Sequence, residues 1–190
     1  LVLKIDKKNL WANEFLLSIF EKQKNWDKAT MISKTVQRLK DYKDPDQIAK
    51  FLVFQGMNKL EKGLENEALS IFNKAVKTAP KYGLSYLRLG DYFSDKRDLT
   101  KAIENWEKFA LYNPTKSYKV YSKIESALFD LGRFSEVEKF YERILENDPL
   151  NLTALAKLAN VLEEKGDHRD ALNLVDEALS KNDLSVHAHL

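Results

Sequence analysis

The chain has 190 residues, 44% of them apolar, so it can bury a sizeable core, while zero cysteines exclude a disulfide framework or a thiolate metal site. No apolar run approaches the roughly 18 residues of a membrane span, and no signal peptide is visible. The net charge of +2 hides a gradient, with ten Lys/Arg against five Asp/Glu over residues 1–43 and six against twelve over residues 134–183. The basic excess is modest and has no interleaved aromatics, which argues against nucleic acid.

Only 6 Gly and 4 Pro among 32% charged residues suit long solvated helices joined by short turns. Residues 1–6 read as the last turn of a helix begun upstream. Leu3-Lys-Ile-Asp6-Lys-Lys-Asn9-Leu10 parallels Leu145-Glu-Asn-Asp148-Pro-Leu-Asn151-Leu152. The first full helix pair is predicted near residues 9–23 and 26–42, with Leu16, Phe20, Ala29 and Val36 as core marks. Lys24-Asn25 make its turn and Trp26 opens its second helix. Asp44-Pro45-Asp46-Gln47 is a helix start, with an Asp cap, Pro at the first helical position and Gln three residues on. A second pair follows over about 45–80, carrying Leu52, Gly56, Ala68, Phe72 and Ala75, with Gln55 where Leu is usual. The third, over about 83–114, is the best formed. The fourth, about 116–149, has Glu125 where Gly or Ala packs and Val137 in place of a small Ala. The fifth, about 152–183, carries Leu155, Leu158, Ala159, Leu162, Ala171 and Ala178. Gly63, Gly132 and Gly166 mark three of the turns. Val186-His-Ala-His-Leu190 reads as the start of a further helix.

The pairs keep a register. Ala68, Phe72, Ala75 and Pro80 recur as Ala102, Trp106, Phe109 and Pro114, each 34 residues later, with Tyr86-x-x-Leu89-Gly90-x-x-Phe93 between them. Size classes recur as well as polarity. This pattern resembles the tetratricopeptide repeat (TPR) family. The resemblance implies an all-α, right-handed superhelical solenoid of about five helix–turn–helix repeats with partial flanking helices. One array then covers residues 1–190, read as a piece of a longer chain. Apolar end residues, Val2, Leu3 and Leu10 on one side and Val186 and Leu190 on the other, predict weak self-association.

No catalytic constellation is present, so the chain reads as a non-enzyme without cofactor or metal. His168 lies in a turn beside Asp167 and Asp170, as a solvated or capping side chain. His187 and His189 are two apart, so on a helix they cannot share a metal. TPR stacks bind through a concave groove lined by their first helices. In this register the groove residues are Trp11, Glu14 and Ser18, then Lys50, Val53 and Met57, then Leu84, Leu87 and Asp91. Lys119, Ser122 and Ser126 follow, with Thr153, Ala156 and Asn160 last. Co-chaperone members that grip an acidic C-terminus carry Lys at the position held here by Glu14, Val53, Leu87, Ser122 and Ala156, so that clamp is absent. The centre of the groove is instead apolar, at Val53, Met57, Leu84 and Leu87, with Lys50 and Asp91 flanking. One reading is a trough for a partner's helix or extended segment. The other is that superhelical twist buries some of these side chains between repeats.

Three features also resemble the lipopolysaccharide assembly protein B family over about residues 10–114. They are Leu16-Leu17-x-Ile19-Phe20-x(5)-Trp26-x-Lys28-Ala29, the long spacing into Ile48-Ala49-x-Phe51, and Leu89-Gly90-Asp91-x-Phe93 followed by Ala102-Ile103-Glu104-x-Trp106-Glu107. That resemblance implies a bacterial cytoplasmic adaptor, held at the inner membrane by a segment outside this chain. The family helps a membrane AAA+ protease degrade the deacetylase that commits lipid A synthesis. The alternatives are a generic bacterial TPR scaffold in secretion, motility or envelope assembly, and a regulatory domain cut from a larger enzyme.

Overall fold

The computed structural model describes residues 6–187, leaving out the side chains of 178 and 181–187. Among the described residues there are ten α-helices, one 3-10 turn and no β-strand. Two compact units divide between Tyr112 and Asn113. The first holds three helix pairs: α1 (Leu10–Lys22) with α2 (Trp26–Leu39), α3 (Pro45–Glu61) with α4 (Glu65–Thr78), and α5 (Gly83–Asp95) with α6 (Leu99–Tyr112). The second opens on the 3-10 turn Pro114–Lys116. It continues with α7 (Tyr118–Asp130), α8 (Phe134–Asn147), α9 (Leu152–Lys165) and α10 (His168–His187).

Local chemistry sets the boundaries. Asn9, Asn25, Asp44 and Asn151 each cap a helix by accepting a backbone N–H through the side chain. At Asp44 the cap has an unforeseen second half. Its own N–H donates to Gln37 Oε1 of α2 at 3.0 Å, while Gln47 Oε1 accepts from Ser33 Oγ at 2.6 Å. The reciprocal capping partner therefore comes from the preceding pair rather than from Gln47. Each turn inside a pair has one residue in the left-handed region: Lys24, Gly63, Arg97, Gly132 and Gly166. Three of these are the glycines expected from sequence. Lys24 and Arg97 adopt the same φ against the usual preference of a side chain. Helix α10 runs unbroken past Val186, where a further helix was expected, since no Gly or Pro interrupts residues 168–187. Residues 1–5 and 188–190, which carry Val2, Leu3, His189 and Leu190, lie outside the described residues, as do the side chains of Ala178, Val186 and His187.

In the first unit, Leu17, Ala29, Ile32, Val36 and Phe51 bury between α1, α2 and α3. Leu10 packs against this group and is not an open apolar end as expected. A second cluster joins α3, α4 and α5 through Leu52, Val53, Phe72, Ala75 and Leu89. The small residues sit where the pairs close. A Cβ on Gly56 would strike the Phe72 ring, and one on Gly90 would strike Cδ1 and Nε1 of Trp106. Trp106 is buried between α5 and α6, as its register predicts.

The second unit solves the same closure differently. Glu125 replaces the small residue, and its Oε2 accepts from the Tyr141 hydroxyl at 3.1 Å and from Lys157 Nζ of α9 at 2.7 Å. Tyr141 is fully buried. Burial and the neighbouring Glu125 charge push its phenol far above the usual range, so it remains a donor. Tyr141→Phe keeps the ring and deletes that bond to a charged acceptor. The expected loss is roughly 1.5–3 kcal/mol, read as a lower urea midpoint. An unchanged midpoint would show that water replaces the hydroxyl without cost.

Candidate functional site

In the first unit the first helices α3 and α5 touch one another. Lys50, Val53 and Met57 fall on one stripe of α3, and Leu84, Leu87 and Asp91 on the matching stripe of α5, each spaced three and four residues apart. The structure separates these residues by exposure. Lys50 is exposed, its Nζ 5.9 Å from the Phe51 ring centroid. Met57, Leu84, Leu87 and Asp91 are half-buried.

Val53 is a correction. It is 0% exposed and belongs to the cluster between α3, α4 and α5, so no partner can reach it. Met57 and Leu84 lean on the same cluster. The apolar trough expected at these four residues is therefore in good part packing between neighbouring pairs. The physical reason is that adjacent first helices approach closely enough to use the inner edge of each stripe as core.

Asp91 also does internal work that the sequence reading did not foresee. Its carboxylate accepts from Trp106 Nε1 at 3.2 Å and pairs with Arg88 at 3.3 Å. An indole N–H at the edge of the core finds a partner there. The readable signal was the acid directly after the small Gly90 on which the indole lies.

Trp11 stands at the far end of the unit on α1, 69% exposed, and stacks on Phe15 with ring centroids 5.7 Å apart. Glu14 on the same helix pairs with Lys40, and Ser18 Oγ donates to the Phe15 carbonyl. Lys119 is exposed on α7, in the second unit. Phe15 was missed from sequence, as were exposed Leu172, Val175 and Leu179 on α10. The available signal was register, since Phe15 precedes Phe54 by the same 39 residues that separate Ala29 from Ala68.

The titratable groups offer little chemistry. Burial lifts the Tyr86 phenol, which donates to the Pro80 carbonyl at 2.8 Å. His168 is exposed, its Nδ1 2.9 Å from Glu163 Oε2. Among the described residues no group of three or more His, Asp or Glu side chains could hold a metal, and no helix is long and apolar enough to cross a membrane.

Residues 128–189 match the tetratricopeptide repeat family model. Two crystal structures of MamA match with TM-scores of 0.52 and 0.51, both at 20% identity. They cover 95% and 90% of this chain, and 96% of the MamA chain in each case. A structure of YrrB, described as a TPR protein with an unusual peptide-binding site, aligns with a TM-score of 0.49 and 17% identity, covering 99% of this chain and 95% of YrrB. The chain therefore has the all-α helix-pair fold of tetratricopeptide repeat proteins.

Proposed function

We propose that the chain is a non-catalytic scaffold that binds a protein segment on the first-helix face of its first unit. The observation that carries this is the pair of matched stripes on α3 and α5. Lys50, Met57, Leu87 and Asp91 reach solvent there, while the core sits on their inner side. Apolar Met57 and Leu87 between a cation and an anion suit an amphipathic helix or extended segment. Exposed Trp11 and, in the second unit, Lys119 are offered as further contact points.

Leu87→Glu is expected to weaken capture of the native partner by about 2 kcal/mol or more, the range for a central apolar anchor. Exposed Lys139, on α8 of the second unit, supplies the control Lys139→Glu. A pull-down comparing wild type with both variants reads the effect. Equal recovery of the same partners by all three would remove this face from consideration.

The motifs at residues 16–29 and 89–107 support a narrower form of the reading, in which the scaffold is the lipopolysaccharide-regulating adaptor and presents substrate to a membrane AAA+ protease from the cytoplasmic side. Recovery of that protease by wild type is the discriminating result. A partner from secretion or motility machinery would instead favour the generic bacterial scaffold.

A further inference from the structure

We infer that the outer face of α2, Met31 ringed by Lys28, Lys34 and Arg38, docks an acidic protein segment with an apolar side chain at its middle. This face is independent of the partner face on α3 and α5. Residues 28, 31, 34, 35 and 38 fall within about one third of the helix circumference, with Met31 central. From Lys28 to Arg38 they run along about 15 Å of helix axis, the reach of a short segment. Met31 is 59% exposed, and the three cations around it are exposed as well.

That exposure does not depend on where the chain begins. The same five positions on α4, which has a helix pair on either side, are Glu67, Ser70, Asn73, Lys74 and Lys77, and all are exposed. On α6 they are Lys101, Glu104, Glu107, Lys108 and Leu111. Both of those helices mix the two signs of charge at these positions. On α2 the charged residues at the five positions are cations alone.

Folding supplies no reason for this arrangement. Other lysines of the first unit have carboxylates, Lys59 with Glu67, Lys96 with Glu65 and Lys101 with Asp98. Lys28, Lys34 and Arg38 make no ion pair among the described residues. Lys28 sits instead over the Phe20 ring, its Nζ 5.4 Å from the centroid. It stands in the first turn of α2, where the helix dipole opposes a cation. Lys34 and Arg38 are four residues apart, a spacing at which like charges repel on a helix. Only Arg38, in the last turn, has the dipole in its favour. Asp27, one turn before Met31, is committed to α3, its Oδ1 accepting from Gln55 Nε2.

Charge and the central thioether together select the occupant. An acidic protein segment brings carboxylates to the three cations and an apolar side chain to Met31, whose soft, unbranched chain adapts to it. A lipid surface fits less well, because its binding grows with inserted apolar area and this face offers one apolar side chain. Nucleic acid would find no aromatic ring at these positions on which to stack a base.

The probe is a labelled peptide of glutamates and alanines with one central leucine, titrated with the 190-residue chain and read by fluorescence anisotropy. Wild type should bind it saturably at low salt, and added salt should weaken the binding as the charges are screened. Lys34→Glu should weaken it at least about tenfold, and Met31→Gln, which changes no charge, at least about fivefold. Lys74→Glu on α4 and Leu87→Glu on the other face should each leave it within about twofold. Met31 and Lys34 are exposed, so the helical signal and melting temperature should match wild type. If Lys34→Glu melts early, Lys34→Gln takes its place. A wild type that does not bind the peptide would overturn the inference. Binding that Met31→Gln leaves unchanged would do the same, reducing the face to diffuse charge attraction. Vesicles containing phosphatidylglycerol, or a single-stranded DNA oligonucleotide, that displace the peptide more readily than unlabelled peptide does would reassign the face to lipid or nucleic acid.

Discussion

Trp106→Ala should lower the stability of the first unit by roughly 3–5 kcal/mol, the range for deleting a large buried aromatic whose site cannot collapse. Trp106 is 3% exposed, packs directly on Gly90 and donates its indole N–H to Asp91. Removing it opens a cavity between α5 and α6, and it takes from the half-buried Asp91 carboxylate one of its donors. A urea melt gives the measurement, and a midpoint within error of wild type would mean that the pair repacks freely. The cause can be isolated by coupling. Gly90→Ala in the wild-type background drives a Cβ into the indole and should cost roughly 1–3 kcal/mol of overpacking. That outweighs the helix propensity gain of about 1 kcal/mol. In a Trp106→Ala background the clash partner is gone, so Gly90→Ala should turn neutral or stabilising. Additive losses would show that the two residues do not share one contact.

Val53→Glu is the second large effect, and it separates folding from binding on a single helix face. Val53 is fully buried among Leu52, Phe72 and Leu89 in an apolar cluster. A charge placed there without a partner is expected to cost roughly 3–5 kcal/mol. Leu87→Glu holds the same register in the next pair, yet Leu87 is half-exposed and stands outside the cluster. Its melting temperature should stay close to wild type, at a cost under about 1 kcal/mol. Thermal melts of the two proteins side by side decide the matter. If Leu87→Glu melts as early as Val53→Glu, Leu87 is core and the proposed partner face loses its centre.

Two residues that look equivalent in sequence thus differ in what they can do. Position within the 34-residue period places a side chain on a stripe of its own helix. It does not say how near the neighbouring pair comes. In α3 the stripe turns its middle residue, Val53, into the space filled by Leu52 and Leu89. In α5 the middle residue, Leu87, stays half outside. The same distinction governs closure within the pairs. Gly56 and Gly90 take an aromatic ring directly, whereas Glu125 takes the Tyr141 hydroxyl and the Lys157 ammonium. The departure at Glu125 was visible in sequence as an exception. Its remedy was not, because Lys157 lies on another helix and meets Glu125 only when the pairs stack.

The sequence by itself determined the helices, the cap at Asp44, the glycine turns and the helix-pair fold. These follow from interactions a few residues long, repeated in register, in which small and aromatic residues must alternate for two helices to close. Only the tertiary structure decided which stripe residues are core and which face solvent. It also showed that Asp91 serves Trp106, and that Phe15 and Leu172 are left standing in water. Exposure depends on the distance to a neighbour outside the repeat, and no periodicity within one helix encodes that distance.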